Sequence, residues 1–262
     1  MITKKRRGKS RKMVMDPRLS IIDTRLAGIK RVIAVTGGKG GIGKSLTSSL
    51  LALTLSRLGY KVGLLDLDLS APSTHVILGI EDVYLEEEKG IVPPEVHGIA
   101  FMSIIYFTGN EPTPLRGTDI SNAMLELLAI TQWGSRDFLI VDMPPGIGDV
   151  SMDVIRWLKR AEFLVVTTAS KVALETVKKV IKMLDELNKP IIGVIENMKM
   201  KESSSVQETL KEFDVPILGE IEFDMKLEDS IGDANALLES DVAARLKEIV
   251  VSYPGFKLNS DL

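Results

Sequence analysis

The stretch VTGGKGGIGKS at residues 35–45 constrains the fold more than any other part of this chain. It joins an apolar, β-branched run, VIAVT, to a long helical pattern, KSLTSSLLALTLSRLG, through a turn dense in glycine. Glycines at this density let successive backbone N–H groups turn inward around an anion, and the helix N-terminus adds its positive end. Such a loop works where a strand feeds directly into a helix. It therefore demands an α/β arrangement whose ligand sits beyond the carboxyl ends of the strands.

The rest of the chain repeats that alternation. Strands are expected at RVIAVT (31–36), KVGLLDLD (61–68), IAFMSI (99–104), FLIVDM (138–143), EFLVVTT (162–168), PIIGVIEN (190–197) and PILGEI (216–221). Several of these runs are apolar on both faces, as strands covered by helices on each side must be. Helices are expected at 16–29, with Pro17 in its first turn, and near 44–58, 119–133, 149–160, 171–187, 205–213 and 236–251. In the helix at 171–187, Val177, Ile181, Leu184 and Leu187 form one stripe, and Lys178, Lys179 and Lys182 fall outside it. With no internal repeat, the pattern predicts one doubly wound, mostly parallel sheet of about seven or eight strands with helices on both faces.

The loop carries its own chemistry. Gly38-x-x-x-x-Gly43-Lys44-Ser45 satisfies the nucleotide-binding loop pattern. Lys44 is placed to neutralise the outer phosphates and the Ser45 hydroxyl to ligate Mg²⁺. Two acidic strand ends follow. LLDLDLSAPS places Asp66 and Asp68 at the end of the second strand, their side chains on the same face because they are two apart. FLIVDMPPGIGD ends another strand with Asp142 before a rigid Pro144–Pro145–Gly146 turn, the position at which such enzymes hold the magnesium water shell. A second lysine, Lys39, stands among glycines that keep other side chains away, and the loop pattern alone does not explain it.

Composition narrows the alternatives. The sequence has no cysteine, which excludes disulfides, thiolate zinc sites, catalytic thiols and a cysteine-bound iron–sulfur cluster. No apolar run reaches the 18 or so residues of a membrane span, and no signal-peptide h-region is evident, so a cytoplasmic location is expected. Net charge is −3, yet the first twelve residues hold seven lysines and arginines and no acid, leaving −10 for the remainder. Residues 1–15 are thus expected to be a basic, disordered arm able to touch nucleic acid or an anionic surface, with one nucleotide-binding domain at 16–262. His75 and His97 are too few for a metal site without thiolates, and Glu86–Glu87–Glu88 reads as a solvated loop.

From Lys39, KGGIGKS resembles the deviant phosphate loop of the family that includes MinD, ParA and the nitrogenase iron protein. The similarity is closest to the Mrp/ApbC branch of iron–sulfur cluster assembly ATPases. DLDLSAPSTHVILG resembles that branch's Asp-x-Asp-x-x-x-Pro-Ser segment, RDFLIVDMPPGIGD its switch, and VALETVKKVIKMLDELNKPIIGVIENM its penultimate helix and strand. MSI, Arg116–Gly117 and Trp133–Gly134 also fall in register, and the likeness runs from Arg31 to about Asp233. The resemblance implies a P-loop NTPase that hydrolyses ATP to ADP slowly, with Mg²⁺, as a homodimer. It implies nucleotide contacts from Gly38, Lys39, Gly40, Gly41, Ile42, Gly43, Lys44, Ser45 and Leu46, and an adenine contact from Asn197. Lys39 would reach across a two-fold interface to the partner subunit's phosphates and so act, with Lys44 and Asp68, in catalysis. Asp68 would orient the attacking water, Asp66 would join it in the magnesium and switch network, and Asp142 would hold Mg²⁺ through water.

The departures from that branch matter equally. Its members carry a Cys-Pro-x-Cys segment shortly after the Asn-Met pair, and two such pairs bridge one cluster across the dimer. Here ENMKMKESSSVQETLKEF has no cysteine, the usual switch threonine is Ile147, and Glu222 replaces an expected proline. Three readings follow. One is an ATP-switched dimer in iron–sulfur assembly that serves a client protein without holding a cluster on its own thiols. Another is a positioning ATPase of the MinD or ParA kind, the latter using the basic arm on DNA. The third is a regulatory module that hydrolyses slowly. The MinD form needs a basic amphipathic helix that VVSYPGFKLNSDL does not supply, so no membrane contact is expected.

Overall fold

The computed structural model describes residues 16–69, 71–81, 85–108, 117–200 and 206–258. The basic arm, Arg116 and residues 201–205 of the segment after Met200 lie outside the described residues. Along the chain, α1 (Arg18–Leu26) leads into β1 (Ile29–Gly37), α2 (Lys44–Arg57) and β2 (Val62–Asp66). A short α3 (Thr74–Leu78) and a hairpin of β3 (Glu86–Glu87) and β4 (Ile91–Val92) precede β5 (Glu95–Val96) and β6 (Ile99–Ser103). Next come α4 (Ile105–Thr108), α5 (Gly117–Ile130), β7 (Arg136–Asp142), α6 (Asp149–Trp157) and β8 (Ala161–Thr167). The last part holds α7 (Lys171–Glu186), β9 (Ile191–Lys199), α8 (Val206–Thr209), β10 (Ile217–Glu222), α9 (Ala234–Glu239) and α10 (Asp241–Ser252).

Eight strands form one sheet in the order β10-β9-β8-β1-β7-β2-β6-β5, all parallel except the edge strand β5. The doubly wound sheet expected from the sequence is therefore present. The strands from β9 to β6 are largely buried on both faces, with alternate residues feeding two separate cores. Val32, Ala34, Leu139, Val141, Phe163 and Val165 pack beneath α1, α5, α6 and α7. Ile33, Val35, Phe138, Ile140, Leu164 and Val166 pack beneath α2, α9 and α10. Each fully buried aliphatic side chain contributes about 1.5–3 kcal/mol, which is why the apolar runs were legible as central strands.

The path explains where a ligand can sit. From β1 the chain moves to β2, leaving a gap that β7 later fills, and from β7 it crosses β1 to reach β8. The winding direction reverses around β1 and β7, and the crevice of such a sheet opens at the carboxyl ends there. Asp142 stands level with Val35 of β1 on one side and Asp66 of β2 on the other.

Several expected boundaries shift for local reasons. β2 stops at Asp66 instead of running to 68, so Asp68 is not on the strand and the same-face argument does not apply to it. The helix expected at 236–251 is two helices, because Ser240 ends α9 and its hydroxyl accepts the Ala243 N–H to start α10. The helix expected at 205–213 is a single turn, α8. Glu86 and Glu87 are exposed, but they pair with Val92 and Ile91 in a hairpin and are not a plain loop.

Gly63 leaves room for the ring of Trp133, which is 1% exposed, to pack against the sheet. A Cβ at Gly63 would stand 2.8 Å from two Trp133 ring carbons and 3.0 Å from Leu139 Cδ1. Gly63→Ala should therefore destabilise the fold by about 1–3 kcal/mol through overpacking, lowering the melting temperature by several degrees. An unchanged melting temperature would show that Trp133 has room to move.

Candidate functional site

The glycine loop hangs between β1 and α2, and three side-chain contacts set its shape. Ile42 is 1% exposed, its side chain turned down into the core against Gly37, where an added Cβ would meet Ile42 Cδ1 at 2.2 Å. Gly38 passes so close to α7 that a Cβ there would meet Thr176 Oγ1 at 2.3 Å. Gly43 caps α2 in the left-handed conformation, φ 81°, and a Cβ there would meet Asn197 Nδ2 at 2.1 Å. Gly40 and Gly41 are exposed and Leu46 is half-buried. Lys39 is half-buried and makes no ion pair or hydrogen bond among the described residues.

Beneath the loop lies a buried ion pair. Lys44 Nζ donates to Asp142 Oδ1 at 2.7 Å, the lysine 7% and the aspartate 0% exposed. Ser45 Oγ donates to Asp142 Oδ2 at 2.7 Å, and Ser48 Oγ lies 2.8 Å from Oδ1. The loop lysine, the loop serine and the acid at the end of β7 thus lie in one cluster. Ser48 was not foreseen. Its position one helical turn after Lys44 was the available signal.

Asp66 is also fully buried but serves another set of groups. Its Oδ2 accepts from the Thr74 hydroxyl at 2.6 Å and the Thr74 N–H at 3.3 Å, and its Oδ1 from the Asp68 N–H at 2.9 Å. Burial pushes its pKa up to about 7, and the neighbouring Asp142 charge adds to the rise. The bonds from Thr74 and the Asp68 amide, and the Lys44 charge, oppose it. Asp68 is half-buried just past the strand, where its Oδ1 accepts the Ala71 N–H at 3.2 Å. Thr74 was missed, although a Ser-Thr pair before a short helix is a recognisable capping signal.

The donor set suits a magnesium ion held by few protein oxygens. Ser45 Oγ and Asp142 Oδ2 are hard ligands already 2.7 Å apart, and Mg²⁺ takes its remaining ligands from phosphates and water. No three acidic or histidine side chains gather into a metal cage among the described residues. His97 Nε2 lies 2.9 Å from the Leu78 carbonyl oxygen, and burial lowers the pKa of His75. Neither histidine contacts the loop. Asn197, 4% exposed, donates Nδ2 to the Ile42 carbonyl at 2.9 Å.

The raised pKa of Asp66 has a definite sign. Between its ordinary value of 3.8 and about 7, the folded chain holds a proton there that the unfolded chain has released. Stability should fall as pH rises through that window, and the loss should be complete above it. Urea unfolding of wild type and Asp66→Asn from about pH 4 to 8 checks this. Wild type should lose stability relative to the variant as pH rises, and parallel curves would contradict the assignment.

A family model described as ParA: NUBPL iron-transfer P-loop NTPase matches residues 28–253. The iron-sulfur cluster carrier protein of Aquifex aeolicus (strain VF5) is 44% identical over 178 residues, covering 66% of this chain and 49% of the carrier. The chain thus spans about half the length of that relative. Among solved structures, a nucleotide-binding protein from Archaeoglobus fulgidus in complex with ADP matches with a TM-score of 0.74 and 27% identity, covering 90% of this chain and 97% of that one. MinD from Pyrococcus horikoshii OT3, complexed with Mg-ADP, shares the fold with a TM-score of 0.65 and 21% identity, covering 84% and 93%. No helix among the described residues is long and apolar enough to cross a membrane. The family match takes in every strand of the large sheet and the whole glycine loop, and the chain belongs to the NUBPL-type iron-transfer P-loop NTPases of the ParA family.

Proposed function

We propose that this protein is a Mg²⁺-dependent ATPase that switches between subunit arrangements as a homodimer and serves iron–sulfur assembly through a cysteine-bearing client. The observation that carries the ATPase half is the Lys44–Asp142–Ser45 cluster under the glycine-rich loop. Lys44 sits on a carboxylate within reach of the loop, so a bound phosphate chain would compete with Asp142 for the same ammonium. Mg²⁺, when bound, neutralises the charge that develops on the phosphates. Ser45 would ligate it directly and Asp142 through water. Loop amides from Gly38 to Leu46 would hold the phosphates, Asp68 would orient the attacking water, and Asp66 would brace the backbone that carries Asp68.

The dimer half rests on Lys39 and on where apolar surface lies. Of the ten most exposed large apolar side chains among the described residues, seven lie in segments that follow strand carboxyl ends, among them Phe107, Ile147, Val172, Met200 and Phe223. That concentration on the face bearing the loop favours a second copy covering it. Lys39 would then complete the partner's phosphate site. The iron–sulfur half rests on family membership. With no cysteine in the sequence, thiols for a cluster would come from the client.

Lys44→Ala should lose nucleotide affinity in calorimetry, whereas Lys39→Ala should keep ADP binding and lose hydrolysis. Mixing the two inactive variants should restore activity, because a mixed dimer pairs one intact loop with an intact Lys39 on its partner. A mixture that stays inactive, with a wild-type rate per chain independent of concentration, would rule out the trans lysine.

Asp68→Asn should bind ATP but slow single-turnover hydrolysis by at least about a hundredfold. A wild-type single-turnover rate would move the water-orienting role elsewhere.

A further inference from the structure

We infer that Asn197 and Met198 form a latch that positions the phosphate loop, with Asn197 acting on the loop's backbone through its Nδ2. The inference rests on the phosphate-site reading of residues 38–45 and deepens it.

β9 outruns its neighbour. Its pairing with β8 ends at Thr167 opposite Glu196, yet the strand continues through Lys199, held on the other side by β10. The loop after β1 leans across the end of β8 to meet this overhang, and Asn197 Nδ2 donates to the Ile42 carbonyl at 2.9 Å across 155 residues of sequence. In a planar trans peptide the carbonyl of one residue and the N–H of the next point in opposite directions. Drawing the Ile42 carbonyl toward β9 therefore turns the Gly43 N–H away from it. That N–H opens α2 and has no acceptor among the described residues. It is a donor aimed at an anion by a side chain that never touches the anion.

Met198 completes the contact at a conformational cost. Successive side chains of a regular strand point to opposite faces, so only one of two neighbours could face the loop. Met198 has φ 54°, a left-handed conformation unusual for a bulky residue. That twist breaks the alternation, and the Met198 methyl lies 3.4 Å from the point where a Gly43 Cβ would stand. Both residues thus close on Gly43, and strain of this kind persists where neighbours hold it. A Cβ on Gly43 would collide with Asn197, so glycine is required there by the latch as well as by its own φ.

The test uses tripolyphosphate, a phosphate chain with no base, alongside ATP and GTP. Calorimetry would compare wild type, Asn197→Ala and Asn197→Asp, the last nearly isosteric but unable to donate to a carbonyl, with each variant's melting temperature recorded. Both variants should bind tripolyphosphate and both nucleotides about tenfold more weakly. Tripolyphosphate affinity equal to wild type overturns the latch, and loss of base preference alone would make Asn197 a base reader. If wild type itself binds neither tripolyphosphate nor nucleotide, the phosphate-site reading fails, a separate result. If the variants do not fold, wild-type nitrogen-15 spectra decide. The Asn197 side-chain amide should be slow to exchange with solvent and the Gly43 amide should shift with tripolyphosphate. Rapid exchange of that side-chain amide, or an unmoved Gly43 amide, overturns the inference.

Discussion

One buried charge pair, Lys44 on Asp142, sets the terms for the rest of the site. Taking an ammonium and a carboxylate out of water costs several kcal/mol per ion, and their attraction offsets this only when further hydrogen bonds satisfy the remaining atoms. Ser45 and Ser48 supply those bonds to Asp142. Meeting that condition holds β1 in register with β7 and brings the N-terminus of α2 to the strand ends, where a left-handed glycine opens the helix. The pair is weak as a source of stability but strong as a constraint on geometry.

A second acid sharpens the imbalance. Asp66 stands level with Asp142 on the adjacent strand, and among the described residues the buried strand ends offer one ammonium, Lys44, to two carboxylates. The fold answers by lending Asp66 a hydroxyl and two backbone N–H groups and by raising its pKa. Strand ends arranged like this favour added positive charge, in keeping with the magnesium ion and partner lysine proposed above.

Much of this was legible in the sequence, for identifiable reasons. VIAVT and FLIVD are apolar on both faces and end in turn chemistry, so both the central strands and the level of Asp142 could be read from pattern alone. Asp68 misled because the carboxylate of Asp66 takes the Asp68 N–H, and a local bond of that kind competes with the sheet ladder and ends the strand. Ser240 misled because one hydroxyl is enough to divide an apolar stripe into two helices. The hydrogen bond from Asn197 to Ile42 was beyond reach for another reason. It links residues distant in sequence, and no local period encodes which carbonyl an amide will find.

The strand order has a consequence in time. β1 forms early in the chain, but both of its neighbours come late, β7 at Arg136–Asp142 and β8 at Ala161–Thr167. At a synthesis rate of about 5–20 residues per second, the strand bearing the phosphate loop waits on the order of ten seconds before either edge can be paired. During that interval α2 is already made and able to cover the face of β1 that carries Ile33 and Val35. The long, leucine-rich helix after the loop is thus placed to shield β1 during synthesis, well before it frames any nucleotide.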